Sequence, residues 1–282
     1  LFSWARLLSL WLAGEFGLNR MTRSPSRQIG DLTFPDVSKR LRASSILCMP
    51  IGSIEQHGPH LPLNTDVVLA EEYTRRIIAR WGETFDLWQL PTLAIGLARE
   101  HDWAAGTLSL SIQSMTALIR DLGREIVRSL PARNLAIING HGGNRGVLEA
   151  LAQELRADFR LNICVLHPTT WAEINTKAVV HEIHGGKNET SMMLALAPNL
   201  VRREQMTQLQ RSSDNDAVQT TIVDQTVTWP WTTNEVQIAN LGVIGDAQAA
   251  SAEFGSSLLK QIEEMAGPVF KRLLDRQHLV RS

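Results

Sequence analysis

Three short stretches of this chain gather acids and imidazoles among glycines and prolines. The first runs Gly52-Ser53-Ile54-Glu55-Gln56-His57-Gly58-Pro59-His60-Leu61-Pro62 and closes on Asn64-Thr65-Asp66. Glu55 and His57 are two apart, so an extended backbone presents both on one face. Asp66 falls where a helix begins, a position that favours a carboxylate and lets it be aimed inward. The second stretch is Gly140-His141-Gly142-Gly143-Asn144, and the third is His184-Gly185-Gly186-Lys187-Asn188-Glu189-Thr190-Ser191. Carboxylate and imidazole together suit Zn, Mn or Fe(II) better than Ca or a thiolate site.

Each stretch also has a plainer reading. Glu55 and His57 could be ordinary loop polars, Asp66 a helix cap and His141 a turn histidine. Glu189 could be a first-turn acid complementing a helix dipole, which still leaves the glycine-flanked His184 unexplained. The glycines at 140–143 lack both the Lys-Ser/Thr pair of a phosphate-binding loop and the G-x-G-x-x-G spacing of a dinucleotide site. They serve better to let the backbone turn sharply and bring His141 close to a ligand or metal. Of the eight histidines, His57, His60, His141 and His184 share this glycine-bearing context. His181 lacks it, and His167 and His278 read as structural. His101 stands between two readings, gating the site or capping a helix.

The elements that must position these residues follow from hydrophobic periodicity. Ile46–Ile51 reads as a buried strand entering the first loop, and Asn134–Ile138 as a strand running straight into the His141 loop. Trp88–Ile95 reads as a further strand, placed at an edge or bulge by Pro91. Asn162–Leu166 is the last. Helical spacing covers Val67–Trp81, Ser114–Leu130 and Val147–Leu155. The Ser114–Leu130 segment carries a stripe of Met115, Leu118, Ile119, Leu122, Ile126 and Leu130. Strands alternating with helices imply an α/β fold with a mostly parallel sheet covered on both faces. Sites in such sheets gather at the carboxyl ends of strands, where two of the three loops leave.

Other segments are less regular. Residues 22–35 read as a flexible lead-in. Residues 206–240 are polar and aperiodic, an excursion suited to a lid or a subunit contact. Ala247–Gln277 is helical again, with a break expected at Gly267-Pro268. Residues 1–35 are therefore set apart as disordered or extra sequence, 1–20 as upstream of a natural start at Met21, and 36–282 as a single domain. Residues 1–18 are apolar but interrupted by Arg6 and Glu15, which makes a poor membrane span.

With 282 residues, 44% hydrophobic and 20% charged, the chain can build a sizeable core. A net charge of -1 argues against nucleic acid or an acidic membrane as partner. Cys48 and Cys164 both lie in apolar strand-like runs, as buried thiols of a reducing compartment do, and a cytoplasmic protein is expected.

The three stretches, with Gly106-Thr107-Leu108-Ser109 and a weaker echo at Gly242-Val243-Ile244-Gly245-Asp246, resemble the creatininase (creatinine amidohydrolase) family. The likeness runs from about Leu47 to Arg202. It implies a three-layer α/β/α fold, one or two divalent ions (Zn, Mn or Fe) and a homo-oligomer, usually a hexamer. It also implies hydrolysis of amide-type C–N bonds in small molecules such as creatinine and formamidopyrimidine nucleotides, or at the end of a mycofactocin precursor peptide. By the same resemblance Glu55, His57, Asp66 and His141 are metal ligands, with Asp66 the bridge. Glu189 belongs at or beside the metals, and His184 acts in proton transfer.

There are departures from the creatinine-cleaving pattern. His-Tyr-Glu is replaced by His141-Gly142-Gly143, so one metal-binding glutamate is missing. The tryptophan that covers the substrate is Val180, the Phe-Pro-Gly-Thr motif reads Ala104-Ala105-Gly106-Thr107, and a loop serine is Ala98. The chain therefore looks closer to the deformylase and mycofactocin-peptidase branch, with creatinine an unlikely substrate. The expected protein is a metal-dependent amidohydrolase acting on a small amide. The alternatives are a metallopeptidase trimming a short peptide on the same fold, a non-catalytic metal- or ligand-binding protein, and a phosphate- or nucleotide-binding module using residues 140–144.

Overall fold

The computed structural model of the chain describes residues 26–173, 180–210, 215–224 and 226–278. The expectations for residues 1–20 lie outside them. Four parallel strands form the sheet in the order β2-β1-β3-β4: β1 is Ile46–Ile51, β2 Leu87–Gln89, β3 Asn134–Asn139 and β4 Asn162–Leu166. Every residue of β1 and β3 is buried, as strands covered on both faces require.

Strand alternation sends side chains to two separate cores. Ile46, Cys48, Ala136 and Ile138 pack with Leu69, Tyr73 and Ile77 of α2 (Thr65–Trp81). Met192 and Met193 of α6 (Lys187–Leu196) and Leu258, Ile262 and Phe270 of α7 (Ala252–Asp275) join them there. Leu47, Met49, Leu135 and Ile137 pack on the opposite face. There they meet Met115 and Ile119 of α3 (Ile112–Ser129) and Leu148, Leu151 and Leu155 of α4 (Arg145–Phe159). The result is the three-layer α/β/α arrangement, with a short α1 (Phe34–Arg40) and α5 (Pro168–Glu173) at its margins. Leu118, expected on the inward stripe of α3, is 38% exposed, so the buried face of that helix is narrower than the periodicity implies.

Three expectations need correction. The second strand is only three residues long, and Leu93 adds a single bridge to Ile51. Pro91 has no N–H to extend the ladder. The long C-terminal helix is continuous from Ala252 to Asp275, with Pro268 inside it. Gly267 lies flat against the Trp81 ring, and Phe270 and Leu273 beyond the proline are buried, so core packing offsets the backbone bond that proline removes. The lead-in is ordered from residue 26: the Gln89 amide donates to Arg27, Gln28 bridges Gln89, and α1 begins at Phe34 behind a Thr33–Asp36 capping box.

Among the described residues, no helix is long and apolar enough to cross a membrane. Both cysteines are free, and burial pushes the Cys164 thiol up to about 12.

Candidate metal centre

The first turn of α2 is pressed against the carboxyl ends of β1 and β3. A Cβ on Gly52 would lie 2.7 Å from the Val67 nitrogen, and one on Gly140 would lie 2.6 Å from the Asp66 carbonyl. Only glycine allows this approach. It is what brings Asp66, in the first turn of α2, between the β1 loop and the β3 loop.

There the six residues singled out from the sequence converge. Asp66 sends one oxygen to each of two imidazoles: Oδ1 is 3.1 Å from Nε2 of His57, and Oδ2 is 3.1 Å from Nδ1 of His141. Glu55 Oε1 lies 3.1 Å from Nδ1 of His141 and 3.7 Å from Nδ1 of His184. Glu189 Oε2 lies 3.8 Å from Nε2 of His57, while its carboxylate accepts the Gly185 amide at 2.6 Å. Three donor sets each fall within 4.8 Å: Glu55, His57 and His184; Glu55, Asp66 and His141; His57, Asp66 and Glu189.

The tautomers are set by the backbone. His57 gives its Nδ1 proton to the Glu55 carbonyl at 3.2 Å, His141 its Nε2 proton to Leu97 at 2.5 Å, and His184 its Nε2 proton to Gln56 at 2.7 Å. All three unprotonated nitrogens therefore point into one space lined by carboxylate oxygens. A bare nitrogen facing an oxygen at 3.1 Å sets acceptor against acceptor, which is stable only with a proton or a cation between them. Both Glu55 oxygens and Asp66 Oδ2 are buried with no hydrogen-bond partner among the described residues. The donor set fits a divalent transition metal in geometry and in chemistry.

The electrostatics agree. Burial opposes charge on His57, but Asp66, Glu189 and Glu55 outweigh it and push its pKa up to about 9. His141 is driven well above its ordinary value in the same way, chiefly by Glu55 and Asp66 against burial. Burial would raise Glu55, yet the neighbouring His141 brings it down to about 2. Glu189 goes the other way, raised by burial to about 7. For His184, burial and the adjacent His101 and His57 rings hold the pKa well below the ordinary value.

Not every glycine-loop histidine joins the centre. His60 is buried behind it, donating from Nε2 to Thr190 Oγ1 at 2.8 Å. Conversely, His101 lies against the centre without joining a donor set, with Nε2 3.3 Å from Glu55 Oε1 and its ring stacked on His184 at 4.1 Å. Glu100, Gln56 and Thr233 also reach the site. Gln56 donates to the Gly242 carbonyl and lies within 3.1 Å of ring nitrogens of His101 and His184. Glu100 and His101 sit in a polar loop between Gly96 and Gly106, a context that could have signalled them. Thr233 lies in the aperiodic stretch, where nothing in the sequence marks it.

Paired acids and imidazoles thus meet at the carboxyl end of a parallel sheet, a donor set suited to a divalent ion. Residues 30–266 match the creatininase (creatinine amidohydrolase) family, and the chain belongs to it. It is 35% identical over 182 residues to the mycofactocin precursor peptide peptidase of Mycobacterium tuberculosis, covering 62% of this chain and 68% of that one. It is 32% identical over 200 residues to the creatinine amidohydrolase of Pseudomonas putida, covering 63% and 75%. A solved creatininase structure designated Mn superposes with a TM-score of 0.71 at 25% identity, covering 88% of this chain and 98% of that one.

Proposed function

We propose that the protein hydrolyses the C–N bond of a small amide, a formamide or a cyclic amide, at a centre of one or two divalent ions. The ligands are Glu55, His57, Asp66, His141 and Glu189. The observation that carries this reading is the Asp66 carboxylate placed between Nε2 of His57 and Nδ1 of His141, 3.1 Å from each. Zn, Mn or Fe held there supplies Lewis acidity toward a carbonyl and favours deprotonation of water near neutral pH.

The chain's own residues do the rest. Glu55, Asp66 and His141 would hold one ion, and His57, Asp66 and Glu189 are the donors for a second. The Gly185 amide holds the Glu189 carboxylate in its place beside His57. His184 is neutral at rest, with Nε2 committed to the Gln56 carbonyl, so only Nδ1 is free to take a proton and pass it to the leaving nitrogen. It would take that proton from the attacking water and, once the leaving nitrogen has received it, return to the neutral form.

The test is metal analysis of the purified protein with a screen of formamides, lactams and short peptides. His57→Ala and Asp66→Ala are expected to lose both metal and turnover; a metal-free variant with full activity would defeat the assignment. A second reading, cleavage of a short peptide on the same fold, is favoured by the 35% identity to a peptide-trimming enzyme. Release of free amino acid from peptides, with amides untouched, selects it. On the same reading residues 36–282 act as one domain, in a cytoplasmic homo-oligomer whose size sedimentation would measure.

A further inference from the structure

Two loops with no role in the proposed chemistry lean on the metal centre from outside. The turn Arg99–His101 brings Glu100 Oε1 to 3.6 Å from Nε2 of His141, the nitrogen whose proton goes to the Leu97 carbonyl. The same turn brings Nε2 of His101 to 3.3 Å from Glu55 Oε1. Two consecutive residues thus back two residues of one donor set.

Space for this is reserved at Gly143. A Cβ there would lie 2.4 Å from the Leu97 carbonyl oxygen and 2.5 Å from both Glu100 Oε1 and His141 Nε2. Any side chain at 143 would break up the trio.

The turn is fastened from the opposite direction by one residue. The Thr233 amide donates to the Glu100 carbonyl at 3.0 Å. Its hydroxyl lies 2.8 Å from Nδ1 of His101 and accepts the Trp103 indole N–H at 3.0 Å. Thr233 is 2% exposed although the residues on either side of it are far more open. The hydroxyl also accepts from the Gln56 side-chain amide at 3.1 Å, and a buried hydroxyl so engaged by His101, Trp103 and Gln56 is specified by its contacts rather than by its polarity.

We infer that Thr233 is the latch by which the 226–240 segment holds the 99–103 turn over the metal centre, with Glu100 and His101 as positioning residues for His141 and Glu55. A carbonyl and a carboxylate against the outer N–H of a ligand imidazole fix its orientation and raise its basicity. The aperiodic segment therefore sets metal affinity without supplying a ligand. This rests on the metal-centre reading above.

The experiment measures Zn2+ affinity by competition with a chromophoric chelator, with no substrate present. Thr233→Val keeps the shape of the side chain and removes the hydroxyl; Glu100→Gln keeps the shape and removes the charge. Each is expected to weaken Zn2+ binding about 10-fold, within the range seen for such outer partners, while Thr233→Ser stays within about 2-fold of wild type. Gly143→Ala is expected to weaken binding as well. Unchanged affinity in both Thr233→Val and Glu100→Gln overturns the latch alone, provided wild type binds Zn2+. A wild-type chain that binds none overturns the metal-centre reading with it. Should Thr233→Val fail to fold, Glu100→Gln decides by itself.

Discussion

The two donor sets that share Asp66 are unlike in one respect. Glu55, Asp66 and His141 are almost fully buried, roofed by Leu97, Glu100 and His101. The set of His57, Asp66 and Glu189 ends on a carboxylate that is 14% exposed, carried by α6 behind the Gly185 turn. A caged cation is held on all sides by protein, while one at the open set keeps a face for substrate. The comparison separates a closed set of donors from one that is open to solvent at Glu189, and on the proposed function the first would anchor an ion and the second would meet the substrate.

Breaking the shared residue has the largest effect. Asp66→Asn removes a charge from both sets, so metal content and turnover are both expected to collapse, kcat by more than about 10^3-fold. Elemental analysis with steady-state rates checks this.

Next come variants that separate the sets. Glu189→Gln is expected to lower kcat about 10^2-fold or more while the closed set stays loaded; His141→Ala is expected to lower metal stoichiometry as well. Equal metal loss in both variants would erase the distinction. A chelator time course sharpens it further: removal in two phases, fast from the open set and slow from the closed one. The stripped protein should melt earlier, because a ligand at about 100 times its Kd adds about 2.7 kcal/mol to the folded state.

The smallest effect lies just outside both sets. His60 is depressed by burial from 6.5 to about 4. A depressed group gives stability that is complete above its unfolded value and drains as the pH falls through the folded one. Metal-free protein should therefore lose stability between about pH 6.5 and 4. His60→Gln should remove about 1–3 kcal/mol of that slope in pH-dependent urea melts.

Much of this was legible from residue types. Strands β1, β3 and β4 were recoverable because unbroken apolar runs have few other uses, and α3 and α4 because their stripes repeat at helical spacing. The short β2 and the unbroken α7 were misjudged, since each turned on whether a proline's lost hydrogen bond is offset by packing, and packing is not local. Glu55, His57, Asp66, His141, His184 and Glu189 announced themselves by their glycine-bearing loops. His101 was legible only in part, its loop resembling theirs without settling its role.

What the sequence determined was the inventory: which acids and imidazoles, on loops leaving which strands, in a fold whose sheet directs those loops to one edge. Tertiary structure alone decided the rest. The carbonyls of Leu97 and Gln56, 44 and 128 residues from the rings they meet, chose the tautomers of His141 and His184, and two glycines let α2 come near enough for Asp66 to face two imidazoles at once. Thr233 meets Glu100 and His101 beside the centre only because its chain segment returns across the 99–103 turn. Side-chain chemistry is local and can be read in order, whereas a hydrogen bond across more than a hundred residues is fixed only once the chain has closed on itself.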